Sequence, residues 1–271
     1  MFGTCVGIRL IRRFGFQLVC ALHFLSLPQF GPEKQAIVHC DLKPENILLV
    51  AEREKNLTTK LRTKLSRTLK TLNNPNNDCT SDKVGPGRAD IAVIDFGSAC
   101  TTRKASPRGY VQSRFYRAPE VLLGCCYGPA IDLWSLGCIL MELLTGKPIF
   151  DGVNEMDQLR KQIEVLGMPP VAMIEAGSEK RKKAWFTHDP TNPRAGGYSF
   201  VQQHNIRPDM TLETVMGQHF QPLSSDGTSS RMFCYRFALP FSHTSLCLCL
   251  SIVLCLSLFP SLTDSVSIGV F

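Results

Sequence analysis

Residues 37–50 read IVHCDLKPENILLV, in which two short apolar pieces, Ile37–His39 and Ile47–Val50, enclose a charged loop. Pieces rich in Ile, Leu and Val at this length predict two β-strands. Between them the loop gathers Asp41, Lys43 and Asn46. A carboxylate, an amine and an amide held together on one tight loop are the parts of a polar reaction centre, and such a centre needs walls around it.

Those walls are sought outward along the chain. A third apolar piece, IAVIDF at 91–96, predicts another strand. The segment 51–90 between it and Val50 is rich in Thr, Lys, Asn, Gly and Pro, with nine Lys/Arg against five Asp/Glu. That composition predicts a solvated, disordered insertion, although the leucines of NLTTKLRTKLSRTLKTL also fit a basic amphipathic helix formed on binding. Upstream, Ile11, Phe14, Leu18, Leu22 and Leu25 recur every three or four residues, the stripe of a buried helix. Arg9, Arg12 and Arg13 before an apolar run also resemble a targeting signal, which the helical stripe outweighs. Downstream, Ala130–Leu144 is apolar nearly all round and predicts a central helix ended by Gly146. NEMDQLRKQIEVLG predicts a second helix, capped by Asn154, with Glu155 and Asp157 in its first turn and Gly167 at its close. Beyond about residue 195 no element is predicted.

With 271 residues and 44% hydrophobic composition the chain can bury a real core. The 12 cysteines show no C-x-x-C pair with zinc-ligand spacing, and they read as reduced thiols. A net charge of +7, much of it in 51–90, is a local basic segment and not a field for nucleic acid, so no nucleic-acid partner is expected. Residues 237–263 carry no formal charge, and the run 246–259 is marginal against the roughly 20 apolar residues of a membrane span.

Three blocks then appear in fixed order: HCDLKPEN at 39–46, DFG at 95–97 and APE at 118–120. Together they resemble the catalytic loop, metal-binding turn and activation-segment end of eukaryotic protein kinases. The resemblance implies ATP and Mg2+ as cofactors and protein hydroxyls as substrates. It makes Asp41 the group that orients or accepts the hydroxyl proton, Asn46 and Asp95 the magnesium ligands, and Lys43 a positive charge beside the moving phosphoryl group. Ser113 is expected to bond Asp41 and Lys43, and Asp132 to orient the catalytic loop through its backbone amides.

YVQSRFYRAPEVLLG, with HCD and DFGSAC, is similar to the dual-specificity tyrosine-regulated kinases, the DYRK family. That likeness implies autophosphorylation of Tyr110, whose phosphate Arg114 and Arg117 would bind. Cys40 stands where kinases usually have an arginine that pairs with activation-loop phosphate, which shifts that duty to Arg114 and Arg117. A second tyrosine frequent in the family is Arg108 here.

The resemblance covers roughly 8–50 and 91–190 and implies a mainly α fold, the C-terminal lobe of a kinase, with the N-terminal β lobe absent. The stretch before Glu33 has no lysine, no acidic residue and no G-x-G-x-x-G. Residues 1–230 are therefore expected to be a partial kinase domain and 231–271 a tail outside it. DPTNPR at 189–194 lies too early, and carries Pro193, to supply the arginine that pairs with Glu120 in kinases, so Glu120 is expected to lack that partner. KRKK at 180–183 reads as a solvated basic turn or a nuclear-localisation signal. The expected place is cytoplasm or nucleus, with a membrane reached through 237–263 as the alternative. This polypeptide alone is expected to be inactive, a binding module being the second reading.

Overall fold

A computed structural model describes residues 8–31, 33–50, 90–102, 110–188, 191, 194–202, 206, 207 and 214. The predicted first helix is α1, Ile8–Ser26, and Ile11, Leu18, Leu22 and Leu25 are buried, with Phe14 half-buried. Pro28 follows closely and cannot continue it. Its apolar stripe packs on α3, Ala130–Thr145, whose burial on nearly every side reflects its almost unbroken apolar sequence. Gly146, at φ 75°, ends α3 in the left-handed region and returns its N–H to the Glu142 carbonyl at 2.7 Å.

Strands are few and short. β1 (Ile37–Val38) pairs antiparallel with β4 (Cys100–Thr101), and β2 (Ile47–Val50) with β3 (Asp90–Val93). Val50 lies opposite Asp90, so the insertion between them joins the fold at one place; residues 51–89 themselves lie outside the described set. Polar groups of α1 reach across to hold β3: Arg13 pairs with Asp90 at 3.2 Å, and the Gln17 Oε1 accepts the Ile91 N–H at 3.1 Å. Both strand pairs thereby rest on the α1–α3 core, and the charged loop 39–46 is suspended between them.

A second cluster gathers around α2 (Pro119–Leu123), α4 (Glu155–Leu166) and α5 (Val171–Ala176). As predicted, Asn154 caps α4, its Oδ1 accepting the Asp157 N–H at 2.9 Å. Then come α6 (Glu179–Trp185), β5 (Phe186–His188) and β6 (Tyr198–Phe200), the last two forming an antiparallel pair sealed by Phe186, Tyr198 and Phe200. Two expectations change here. An element does exist beyond residue 195, and KRKK is helical and not a turn: Arg181 donates to the Val121 carbonyl at 2.9 Å and pairs with Glu155 at 3.0 Å. No helix among the described residues is long and apolar enough to cross a membrane, and residues 237–263 lie outside that set.

Candidate active site

The loop 39–46 is held from beneath by one carboxylate. Asp132, in the first turn of α3 and 2% exposed, accepts the N–H of His39 at 2.7 Å and of Cys40 at 3.1 Å. Burial pushes its pKa up to about 6, against the two amides that favour its ionised form. The His39 Nδ1 accepts the Asp41 N–H at 3.3 Å, which places the ring proton on Nε2, where it donates to the Ile94 carbonyl at 3.0 Å. The imidazole thus ties the catalytic-loop candidate to the turn carrying Asp95, and it meets the Phe96 ring edge-on with 4.8 Å between ring centroids.

Both oxygens of Asp41 are engaged. Oδ1 accepts the Ser113 hydroxyl at 2.8 Å and the Ser113 N–H at 3.1 Å; Oδ2 accepts from the Lys43 Nζ at 2.9 Å. Lys43 also reaches the Ser113 Oγ at 3.3 Å. Partial burial pulls the Asp41 pKa upward, yet the bonds from Lys43 and Ser113 outweigh it and hold the carboxyl below its usual range. In return Asp41 raises the pKa of Lys43, opposed by partial desolvation.

Asn46 is buried and donates its Nδ2 to the Asp41 carbonyl at 2.8 Å, which fixes the amide and leaves its oxygen out of that bond. Its own carbonyl accepts the Ile94 N–H at 2.9 Å, so the residue before Asp95 is fastened to Asn46. Asp95 is exposed and left-handed at φ 61°; its Oδ1 accepts the Gly97 N–H at 3.2 Å. A Cβ on Gly97 would stand 3.1 Å from that oxygen, so glycine keeps the turn tight. Leu48, Ile94 and Phe96 are 48, 36 and 44% exposed.

The comparisons with known proteins bear on the family. A sequence profile of the protein kinase domain matches residues 6–194. The chain belongs to the protein kinase family. It is 40% identical over 185 residues, 68% of its length, to the probable serine/threonine-protein kinase dyrk2 of Dictyostelium discoideum, and spans 15% of that protein. Over 175 residues, 65% of its length, it is also 40% identical to the dual specificity tyrosine-phosphorylation-regulated kinases mbk-2 of Caenorhabditis briggsae and Caenorhabditis elegans, and spans 16% of each. It is a eukaryotic protein kinase sequence of the DYRK type.

In this kinase chain the donor set suits magnesium: a carboxylate with one oxygen outside its turn bond and an amide oxygen on the fastened neighbouring loop, both hard ligands.

Tyr110 is 68% exposed, and its ring lies over the Arg117 guanidinium at 3.7 Å. Arg117, then Arg114, hold its phenol pKa down against slight desolvation. Both expected arginines therefore stand at Tyr110, but they are already engaged. Arg117 is 1% exposed and donates to the carbonyls of Val111 (2.9 Å) and Gln112 (2.6 Å) and to Glu155 (2.9 Å). Arg114 donates to the carbonyls of Gly152 (3.2 Å) and Val153 (2.7 Å). Cys40, buried at φ 66°, points its thiol at Cys100 with 3.6 Å between sulfurs; burial and that neighbour push its pKa up. Glu120 is buried at the start of α2, and its carboxylate is not left without a partner. The sequence reading overlooked two residues: Glu155, which bridges Arg117 and Arg181, and Gln112, a buried polar side chain just before Ser113. Gln112 stands in the quoted stretch 110–124 with no role assigned to it there, Glu155 reads only as charge in the first turn of a helix, and both residue types read as solvated surface.

Proposed function

We propose that this chain contributes the larger, helical lobe of a DYRK-type kinase that transfers the γ-phosphoryl group of ATP to Ser/Thr hydroxyls of protein substrates and to its own Tyr110. The observation that carries the reading is the Asp41 carboxylate clamped by Ser113 and Lys43, with Asn46 and the Asp95 turn fastened to the same loop. Asp41 receives a hydrogen bond from the substrate hydroxyl in place of one it now accepts from Ser113 or Lys43, and takes the proton as the oxygen bonds to phosphorus. Its depressed pKa makes it a weak base, suited to a late proton transfer in which bond breaking to ADP leads. Lys43 keeps positive charge beside the transferring group. Asp95 and Asn46 would hold magnesium, which when bound would neutralise phosphate charge. The exposed side chains of Leu48, Ile94 and Phe96 offer an apolar seat for a flat base.

Ahead of Glu33 the sequence offers no glycine-rich loop and no lysine–glutamate pair for the phosphates, so a polypeptide of these 271 residues alone is expected to transfer no measurable phosphate. The decisive experiment purifies the endogenous protein containing this chain, maps its mass, and measures transfer from labelled ATP. Asp95→Ala should abolish incorporation, and Asp41→Asn should slow it by about 10²- to 10⁴-fold. Incorporation untouched by Asp95→Ala would sink the reading and favour a non-catalytic binding lobe.

A further inference from the structure

Gln112 lies between the loop 39–46 and α3 and is 4% exposed. Its backbone is left-handed at φ 63°, a conformation that costs a non-glycine residue something and persists only where its surroundings determine it. The surroundings are unusually complete. The Gln112 N–H donates to the Cys40 carbonyl at 2.8 Å. Its side-chain Nε2 donates to the Ile131 carbonyl at 2.8 Å and the Ser135 Oγ at 2.9 Å, with a longer contact to the Tyr116 carbonyl at 3.3 Å. Its Oε1 accepts the Ala118 N–H at 3.0 Å. Ser135 passes its own hydroxyl proton to the Tyr116 carbonyl at 2.8 Å.

These bonds determine the residue type. One end of the side chain faces carbonyls and must donate; the other faces an N–H and must accept. Only an amide does both, and only one way round. Methionine would leave buried groups unpaired, and an ionised glutamate would set its charge against two carbonyl oxygens.

A closed circuit results. Asp132 of α3 holds the Cys40 N–H, the Cys40 carbonyl holds the Gln112 N–H, and the Gln112 side chain returns to α3 at Ile131, the neighbour of Asp132. Ser113, the next residue, is thereby presented to Asp41 with both its N–H and its hydroxyl on one oxygen. We infer that Gln112 is a positioning residue for the transfer reaction: it sets the place of Ser113, and through Ser113 the orientation of Asp41. The inference rests on Asp41 serving as the proton acceptor.

The test separates this inference from the kinase reading, because it follows a backbone hydrogen bond and not phosphate transfer. In the 271-residue chain the Ser113 N–H, which donates to Asp41 at 3.1 Å, is followed by hydrogen exchange. Gln112→Met should speed exchange of that amide by about tenfold or more while amides of α1 keep the parent's protection, and a folded Gln112→Met whose Ser113 amide exchanges like the parent's overturns the proposal. Should Gln112→Met fail to fold, Ser135→Ala decides: it removes one acceptor of the Gln112 amide and should speed Ser113 exchange in the same direction, and unchanged exchange overturns the proposal equally. In the active endogenous protein the same variant should lower kcat about 10- to 100-fold while KM for ATP changes by less than about twofold.

Discussion

Asp132 carries a charge that its surroundings only just support. Its folded pKa of about 6 lies above the ordinary 3.8, so the folded chain holds this proton more tightly than the unfolded one. Stability from this group therefore grows as pH falls from above 6 toward 4 and is lost as pH rises through 6. Asp41, Asp157 and Glu164, whose pKa values are lowered, act in the opposite direction as pH falls below their ordinary values. Comparison with Asp132→Asn cancels those contributions. Its stability deficit relative to the parent should widen by about 1 kcal/mol between pH 7 and pH 5, read from denaturant melts at both pH values. A constant deficit would show that Asp132 does not take up a proton in that interval.

At the level of elements, α4 begins with a reciprocal cap: Asn154 accepts the Asp157 N–H, and Asp157 accepts the Val153 N–H at 3.0 Å. Asn154→Ala should lower stability by about 1 kcal/mol in thermal melts. Gly152, two residues earlier, is less forgiving, since a Cβ there would lie 2.5 Å from the Gln158 backbone. Gly152→Ala should cost more than the cap variant and disturb Arg114, whose guanidinium bonds the Gly152 carbonyl. The cap was legible in the sequence, as were α1, α3, α4 and the strands around loop 39–46, because periodicity and capping chemistry are local. The pair β5–β6 was not: three-residue strands exist only through their pairing and aromatic burial, which leave no local period. The same division runs through the site. Asp41, Lys43, Asn46 and Asp95 stand in blocks of recognisable order. Gln112 and Glu155 gain their importance only from what folds against them.

Across the described residues, two apolar clusters meet on α2, and α4 also reaches both, with Val165 and Leu166 on one and Leu159 and Ile163 in the other. Val121 enters the α1–α3 cluster, while Leu122 and Leu123 enter the cluster with α4, α5 and the β5–β6 pair. Leu122→Ala, at a fully buried position, should cost about 2–5 kcal/mol. If α2 couples the clusters, the variant should still melt in one transition; two transitions would show that the clusters unfold separately. The exposed side chains of Leu48, Ile94 and Phe96 have a consequence of another kind. A surface of this sort lights up environment-sensitive dyes such as anilinonaphthalene sulfonate, ordinarily a sign of loosened packing. Here the glow would come from a folded molecule. Quenching of that fluorescence by adenosine or ATP, with folding unchanged, would turn these side chains into an optical gauge of nucleotide occupancy without any phosphate having moved.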